Sequence, residues 1–270
     1  MPSGGEAGIS AAALLAELRT QRIGRALRVF AEVTSTIDVA RDWLREGAPD
    51  GGVVLALRQT HGRGRHGRSW ASPVGGLWMT IILKRDSQPE ASARLGIGLA
   101  LVAAEVASRE AGCDVGVKWP NDLVLGGKKL GGVLVETELT EGQVTVALVN
   151  LGLNVNLPET GFPLELRGAG VSLLSATGRE YPLPRLAARI LESFEGFLPA
   201  MLEDADAVVK LWAQRDVLRR REVSVQVGGE AVRGRARGID RQGRLLLSKG
   251  WLRSVAVPAG EAREVRIAER

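Results

Sequence analysis

Apolar positions first recur at helical spacing just after Ser10, in AAALLAELRT, and the pattern predicts a short amphipathic helix with that serine as its cap. Residues 26–33 read as a short strand. Beyond it, Ser35 and Thr36 precede IDVARDWLREG, in which Ile37, Ala40 and Leu44 share a helical face and Gly47 supplies the stop. Two β-branched, apolar runs follow, GGVVLALRQ and GLWMTIIL, so the stretch THGRGRHGRSW between them is a loop slung between strands. Residues 89–112 form a long, mostly apolar helix that opens on proline.

VGVKW, LVLG, LGGVLVETEL and QVTVALVNLGLNVN come next, separated by turn signals at Pro120-Asn121-Asp122, Gly126-Gly127 and Glu141-Gly142. They predict sheet strands joined by tight turns. Residues 184–202 and 205–218 return to the helical period. From Glu222 the pattern shifts to short alternating strands with turns at Gly228-Gly229, 240–243 and 258–260. A small β-barrel fits that spacing. The change of period sets a boundary at 219–221, dividing the chain into a larger unit, 1–220, and a smaller one, 221–270.

Composition narrows the possibilities. With 270 residues, 45% of them apolar, the chain can bury a full core. A net charge of +5 permits nucleic acid or polyphosphate as a partner, but 31 acidic residues spread among 36 basic ones describe a mixed solvated surface. Cys113 is the only cysteine, which excludes an intrachain disulfide, and His61 and His66 are the only histidines, so no Cys/His zinc site is expected. No apolar run reaches the length of a membrane span, and the first residues lack the basic start and continuous apolar stretch of a signal peptide. A cytoplasmic protein is expected.

Gly62, Gly64 and Gly67 match the spacing of a dinucleotide fingerprint, and Gly62 through Gly67-Arg68-Ser69 nearly that of a P-loop. Both devices need the loop to open a helix whose amino end faces phosphate, and Arg-Ser-Trp-Ala-Ser-Pro after Gly67 cannot start one. What remains is a loop carrying Arg63, Arg65 and Arg68, with glycines that let the backbone fold closely around a ligand. Like charges predict a mobile loop that a polyanion would order. Alone, the stretch fits an arginine-rich surface loop equally well. A second cluster changes the weight: of six lysines, Lys118, Lys128 and Lys129 fall within twelve positions, a concentration that points to a need for a compact ammonium. Between and beyond them, Pro120-Asn121-Asp122 makes a tight turn and Gly131-Gly132 allows close backbone approach to a ligand.

Taken in order, Ser35-Thr36, Gln59 before GRGRHGR, KWPND at 118–122, KKLGGVLVE at 128–136 and GLNVN at 152–156 resemble the biotin protein ligases, and RGIDRQGRLLL resembles their small carboxy-terminal barrel. The resemblance implies an α+β fold. Its larger domain would be a mixed, largely antiparallel sheet flanked by helices, a class II synthetase-like catalytic domain, followed by an SH3-like β-barrel. It implies an ATP-dependent ligase that adenylates biotin to biotinyl-5′-AMP and passes biotin to a lysine of biotin carboxyl carrier protein, an acetyl-CoA carboxylase subunit. ATP and biotin are then substrates, Mg2+ arrives with ATP, and no tightly bound cofactor or metal site is expected.

Matched motif by motif, the resemblance places Arg65 and Lys129 at the charge that builds up in adenylation. Asp122 would orient or deprotonate the carrier amine or assist the magnesium ion that arrives with ATP, although an Asp in such a turn also satisfies backbone donors. Ser35, Thr36, Ile37 through its backbone, Gln59, Arg63, Gly64, Arg65, Lys129 and Gly132 fall at biotin. Arg65, Arg68, Trp70, Lys118, Asn121 and Asn154 fall at the nucleotide. The chain departs from the family pattern at Ile37, where Asn or another polar residue is usual, at His61 for alanine, at His66, an extra basic residue, and at Asn150 for glycine. Some members carry a winged helix-turn-helix, but the stretch before Ser35 is too short for one, so sequence-specific DNA binding is not expected. Members often pair through a strand edge near the loop, which leaves a homodimer open. Two alternatives compete: the related lipoate protein ligases, and a nucleic-acid module with arginines on phosphate and Trp70 stacked on a base. GRGRHGR together with KWPND favours biotin.

Overall fold

A computed structural model describes residues 9–87, 89–249 and 253–268. Residues 1–8, part of the stretch read as lacking a signal peptide, lie outside the described residues. Ser10 caps α1 (Ala11–Glu17), its Oγ accepting from Ala13 N at 3.1 Å. β1 (Leu27–Val33), β2 (Val53–Gln59) and β3 (Leu77–Ser87) form half of a seven-stranded sheet. β4 (Val115–Lys118), β5 (Asp122–Leu125), β6 (Lys128–Thr140) and β7 (Gln143–Leu153) complete it in the order β1-β2-β3-β7-β6-β5-β4. Only β1 and β2 are parallel. A parallel pair needs a crossover, and α2 (Thr36–Arg45) provides it. Ser35 starts that helix, its Oγ accepting from Ile37 N at 3.3 Å, and Asp38 in the first turn suits the positive end of the helix.

Side chains alternate across a sheet, and that alternation gives the two faces different tasks. Met79 and Ile81 of β3, with Val149 and Leu151 of β7, point to the side covered by α3 (Pro89–Ala111) and α5 (Leu183–Glu203), and make the main core. On the opposite side α2 lays Ile37, Ala40 and Trp43 against Val54, Ile82 and Leu148. Burying a side chain the size of Ile37 contributes about 1.5–3 kcal/mol. Along β7 the next residues on that second face are Asn150 and Gly152, opposite Leu134 and Gly132 of β6. This strip lines a cavity instead of packing under a helix.

Helix α4 (Leu173–Thr177), which the periodicity does not predict, is held by a capping box between Ser172 and Ser175. Helix α6 (Ala205–Arg215) stops three residues short of the predicted 218, because Asp216 Oδ1 turns the chain by accepting from Leu218 N at 2.9 Å. None of the described helices is long and apolar enough to cross a membrane.

The smaller unit contains β8 (Glu222–Val227), β9 (Glu230–Ile239), β10 (Leu245–Lys249), β11 (Arg253–Val257) and β12 (Ala262–Ile267). They pair antiparallel in the order β11-β10-β9-β8-β12. The predicted barrel is therefore corrected to an open sheet among the described residues, with β11 and β12 at opposite edges. The physical reason lies at β12: backbone carbonyls at and just before its start accept from the glycine–arginine loop of the larger unit. The two units also lock through Trp119, whose buried indole N–H donates to the Gly243 carbonyl at 2.9 Å.

Glu195 of α5 fixes the segment that feeds β1. Its carboxylate accepts backbone N–H bonds from Gln21, Arg22 and Ile23 at 2.6, 2.8 and 2.7 Å. Burial opposes its ionisation, but the donors at Ile23, Gln21 and Arg22 prevail and hold its pKa below the ordinary 4.5. A carboxylate with a depressed folded pKa adds stability above its unfolded pKa and loses it as pH falls through the folded one. Glu195→Ala is expected to cost about 1–2 kcal/mol at neutral pH, the lower end for bonds to a charged group because the site is partly solvated. Urea titrations from neutral pH downwards check the sign: the gap between wild type and variant closes below pH 4.5.

Candidate functional site

The loop between β2 and β3 is itself a small hairpin. Trp70 N donates to the Gly62 carbonyl at 2.8 Å and Gly64 N to the Arg68 carbonyl at 2.7 Å. A Cβ on Gly62 would sit 2.4 Å from the Trp70 carbonyl oxygen and 2.5 Å from Ser72 Oγ, so only glycine allows this closure. At the tip a single helical turn, Arg65–Gly67, passes through His66 at φ 56° and Gly67 at φ 72°. The arginines, expected to repel one another, are dispersed among different acceptors. Arg63 pairs with Asp38 at 2.7 Å, Arg65 donates to the carbonyls of Ala259 and Ala262, and Arg68 donates to that of Arg263 at 2.8 Å.

At the base of the loop lies a buried polar network. Gln59 Oε1 accepts from Thr36 N at 2.8 Å and lies 3.1 Å from the Thr36 hydroxyl, while Gln59 Nε2 donates to Ser72 Oγ at 2.8 Å. The Thr80 hydroxyl lies 2.8 Å from Thr36 Oγ1 and 2.9 Å from Asn150 Oδ1. Nothing in the amino-acid pattern around Thr80 marks it as a partner. Register does: Thr80 of β3 faces Asn150 of β7 directly.

Trp70 lies across the bare backbone of the strip. A Cβ on Gly152 would approach its Nε1 to 2.7 Å, and one on Gly132 would meet both Trp70 and Asp122 at 3.6 Å. Lys129 stands 5.0 Å over the ring and 2.8 Å from Asp122, which holds the ammonium between an aromatic face and a carboxylate. The indole N–H itself is buried and has no hydrogen-bond partner among the described residues.

Loop, strip and the carboxy-terminal sheet enclose a cavity of about 280 Å³. Gln59, Arg63, Gly64, Arg65, Arg68, Trp70, Lys118, Asn121, Asp122, Lys129 and Gly132 all line it, bringing together segments that are far apart in the chain. Four expected site residues do not line it. Ser35 caps α2, Thr36 stands behind Gln59, and the side chain of Ile37 is spent on the packing of α2. Asn154 is buried with its amide donating to the Val171 carbonyl at 3.1 Å, which places it in the support of the site and not on its surface. Lys128, the third clustered lysine, is exposed outside it. The structure adds Leu134, Asn150, Gly152 and, from β12, Ala262 to Val265. The β12 residues carry only an ordinary strand pattern, so no sequence signal marks them. A second, wider hollow of about 670 Å³ flanks the loop, reaching Glu136, Pro163, Glu165 and Leu166.

The electrostatics favour an anion. Burial lowers the pKa of the Arg65 guanidinium below the ordinary arginine value, Asp122 opposes that shift and Arg68 adds to it. A guanidinium stays protonated nonetheless, so Arg65 is a desolvated cation whose environment a bound anion would relieve. Arg68, Lys118 and Lys129 add positive charge around the same space. Among the described residues no cluster of three or more His, Cys, Asp or Glu is placed to hold a metal. The arrangement suits a reaction in which substrates supply the nucleophile and the protein supplies position and charge.

Comparison with known proteins agrees with this chemistry. Residues 29–156 match the model of the biotin/lipoate A/B protein ligase family, and residues 221–261 match the biotin protein ligase C terminal domain. The chain is 34% identical over 263 residues, 92% of its length and 94% of the relative's, to the biotin–[acetyl-CoA-carboxylase] ligase of Mycobacterium tuberculosis. It is 32% identical over 232 residues, 85% of its length and 71% of the relative's, to the bifunctional ligase/repressor of Bacillus subtilis. Among solved structures, biotin protein ligase from Aquifex aeolicus in complex with biotin and ATP superposes with a TM-score of 0.76 at 26% identity, covering 90% of this chain and all of that one.

Proposed function

The chain belongs to the biotin/lipoate A/B protein ligase family, and on that premise we propose that its cavity is where biotin is adenylated and from which the biotinyl group passes to a carrier lysine. The protein is a biotin protein ligase, joining biotin to a protein amine at the expense of ATP. The observation that carries the assignment of residues is the meeting of Arg65 and Lys129, from segments distant in sequence, around one cavity that also holds Trp70 and Asp122.

In the first step a biotin carboxylate oxygen bonds to the α-phosphorus of ATP while the bond to the β-phosphate breaks, and pyrophosphate leaves. Two anions must approach, so Arg65 and Lys129 neutralise the charge that gathers on the α-phosphate. Arg68 and Lys118 hold the remaining phosphates, and Trp70 walls the reacting centre from water. Mg2+ enters with ATP as part of that substrate. In the second step the carrier amine attacks the acyl carbon, AMP departs, and Asp122 takes the proton of the amine.

The carrier is a biotin-accepting subunit of acetyl-CoA carboxylase, as the name of the mycobacterial relative indicates for that protein. The reaction is cytoplasmic. Residues 1–220 do the chemistry, and 221–270 close the cavity through β12. Association of two copies along the outer edge of β1 belongs to the same proposal.

Incubating the purified protein with biotin, Mg-ATP and a carrier domain tests it, with pyrophosphate release and streptavidin binding as the two readouts. Pyrophosphate release that depends on biotin, followed by labelling of the carrier, is expected. Absence of biotin-dependent release rules the proposal out.

A further inference from the structure

We propose that Asn150 reads the ureido head of biotin and so sets the acid specificity of this chain, a role that rests on the ligase function above and deepens it. The residue lines the cavity while being only 8% exposed. Its carbonyl oxygen lies 2.9 Å from the Thr80 hydroxyl and 3.2 Å from that of Thr36. Its Nδ2 makes no hydrogen bond to any described residue. That donor can take a partner from the cavity that the residue lines.

The neighbours settle what kind of partner fits. Gln59 Oε1 accepts from Thr36 N, which fixes that amide and leaves the Thr36 and Thr80 hydroxyls to share the acceptors around them. The corner is neutral, polar and buried, suited to a compact uncharged head with a carbonyl oxygen. Lys129, at the charged end, precedes Leu134 by five residues on β6, and Leu134 pairs with Asn150. At strand rise that is roughly 16 Å, a span bridged by a lysine side chain reaching toward the carboxylate of an acid as long as biotin. With the acid so anchored, its ureido oxygen meets Asn150 Nδ2. Lipoate, whose dithiolane ring has no carbonyl, leaves the donor unmet.

Asn150 is thus a specificity-determining residue, and its substitution should change the Michaelis constant for the acid more than turnover. Pyrophosphate exchange measured with wild type, Asn150→Ala and Asn150→Asp, each with biotin and with 2-iminobiotin, tests the idea. The latter carries a protonated guanidine in place of the ureido carbonyl. In Asn150→Ala the KM for biotin is expected to rise about tenfold, the scale of one lost hydrogen bond, with kcat and the KM for ATP within about twofold. In the isosteric Asn150→Asp an acceptor replaces the donor, and the ratio of kcat/KM for 2-iminobiotin over biotin is expected to rise at least about tenfold. An unchanged ratio in Asn150→Asp, both acids falling together, overturns the proposal whether or not the alanine variant folds. Wild type that exchanges with neither acid overturns the ligase function instead, so the two failures are told apart.

Discussion

Lys129→Ala is expected to slow biotinyl-5′-AMP formation by about a hundred- to a thousandfold, the range in which one preorganised electrostatic donor acts. The structure gives a reason to expect the upper part of that range. Lys129 pairs with Asp122 at 2.8 Å, so its removal leaves a carboxylate facing the incoming phosphates with its counterion gone. Repulsion then adds to the lost attraction. Lys129→Arg keeps the charge but spreads it over a planar fork that does not match a single ammonium between Trp70 and Asp122. The pair Lys129→Ala/Asp122→Asn separates the two contributions: adenylation should recover in part, while transfer to the carrier stays slow because the proton acceptor is gone. Arg65→Ala should lose a similar factor and also loosen the loop, since the same guanidinium donates to the Ala259 and Ala262 carbonyls. Single-turnover formation of biotinyl-5′-AMP, with melting curves as the control for folding, decides the matter. Rates within about tenfold of wild type for both single variants would remove these residues from catalysis, given the factor that such donors carry.

Much of this geometry is legible in the sequence alone, and the reason is local. Period-two and period-3.6 patterns identify the strands and helices of the larger sheet, and the glycine–arginine loop and the KWPND turn announce themselves through residue types with few other uses. Contacts made by register are a different kind of information. Thr80 and Asn150 are neighbours only because β3 and β7 pair in one alignment, and no spacing within either strand reports that. Asn154 is the converse case: its motif is plain in the sequence, while the direction of its amide, which donates to the Val171 carbonyl, is set by a contact that the motif does not report. The part of β12 that meets the loop reads as strand and nothing more. Its role comes from backbone carbonyls, which every residue has and no sequence marks.

Gly152→Val is expected to reduce ligation about a hundredfold while the fold survives. A Cβ at 152 would lie 2.7 Å from Trp70 Nε1 and 2.9 Å from Cε2, closer than side-chain atoms pack, so the indole must lift from the strip. It has little freedom in direction, because the Trp70 backbone is tied to Gly62 and a Cβ on Gly62 itself has no room. The ring can rise only toward the cavity of about 280 Å³ and toward Lys129, now 5.0 Å away. Overpacking of this kind costs about 1–3 kcal/mol of stability, whereas a displacement near 1 Å at a reacting centre can cost about a hundredfold in rate. Activity should therefore fall much further than Tm. Removing the ring should release the strain, and Trp70→Ala/Gly152→Val should melt closer to Trp70→Ala than the separate changes would sum to. Pyrophosphate exchange and thermal melts on the three variants make the comparison. Wild-type exchange by Gly152→Val would mean that the indole does not rest on Gly152 in the working enzyme, and the bare strip would need another explanation.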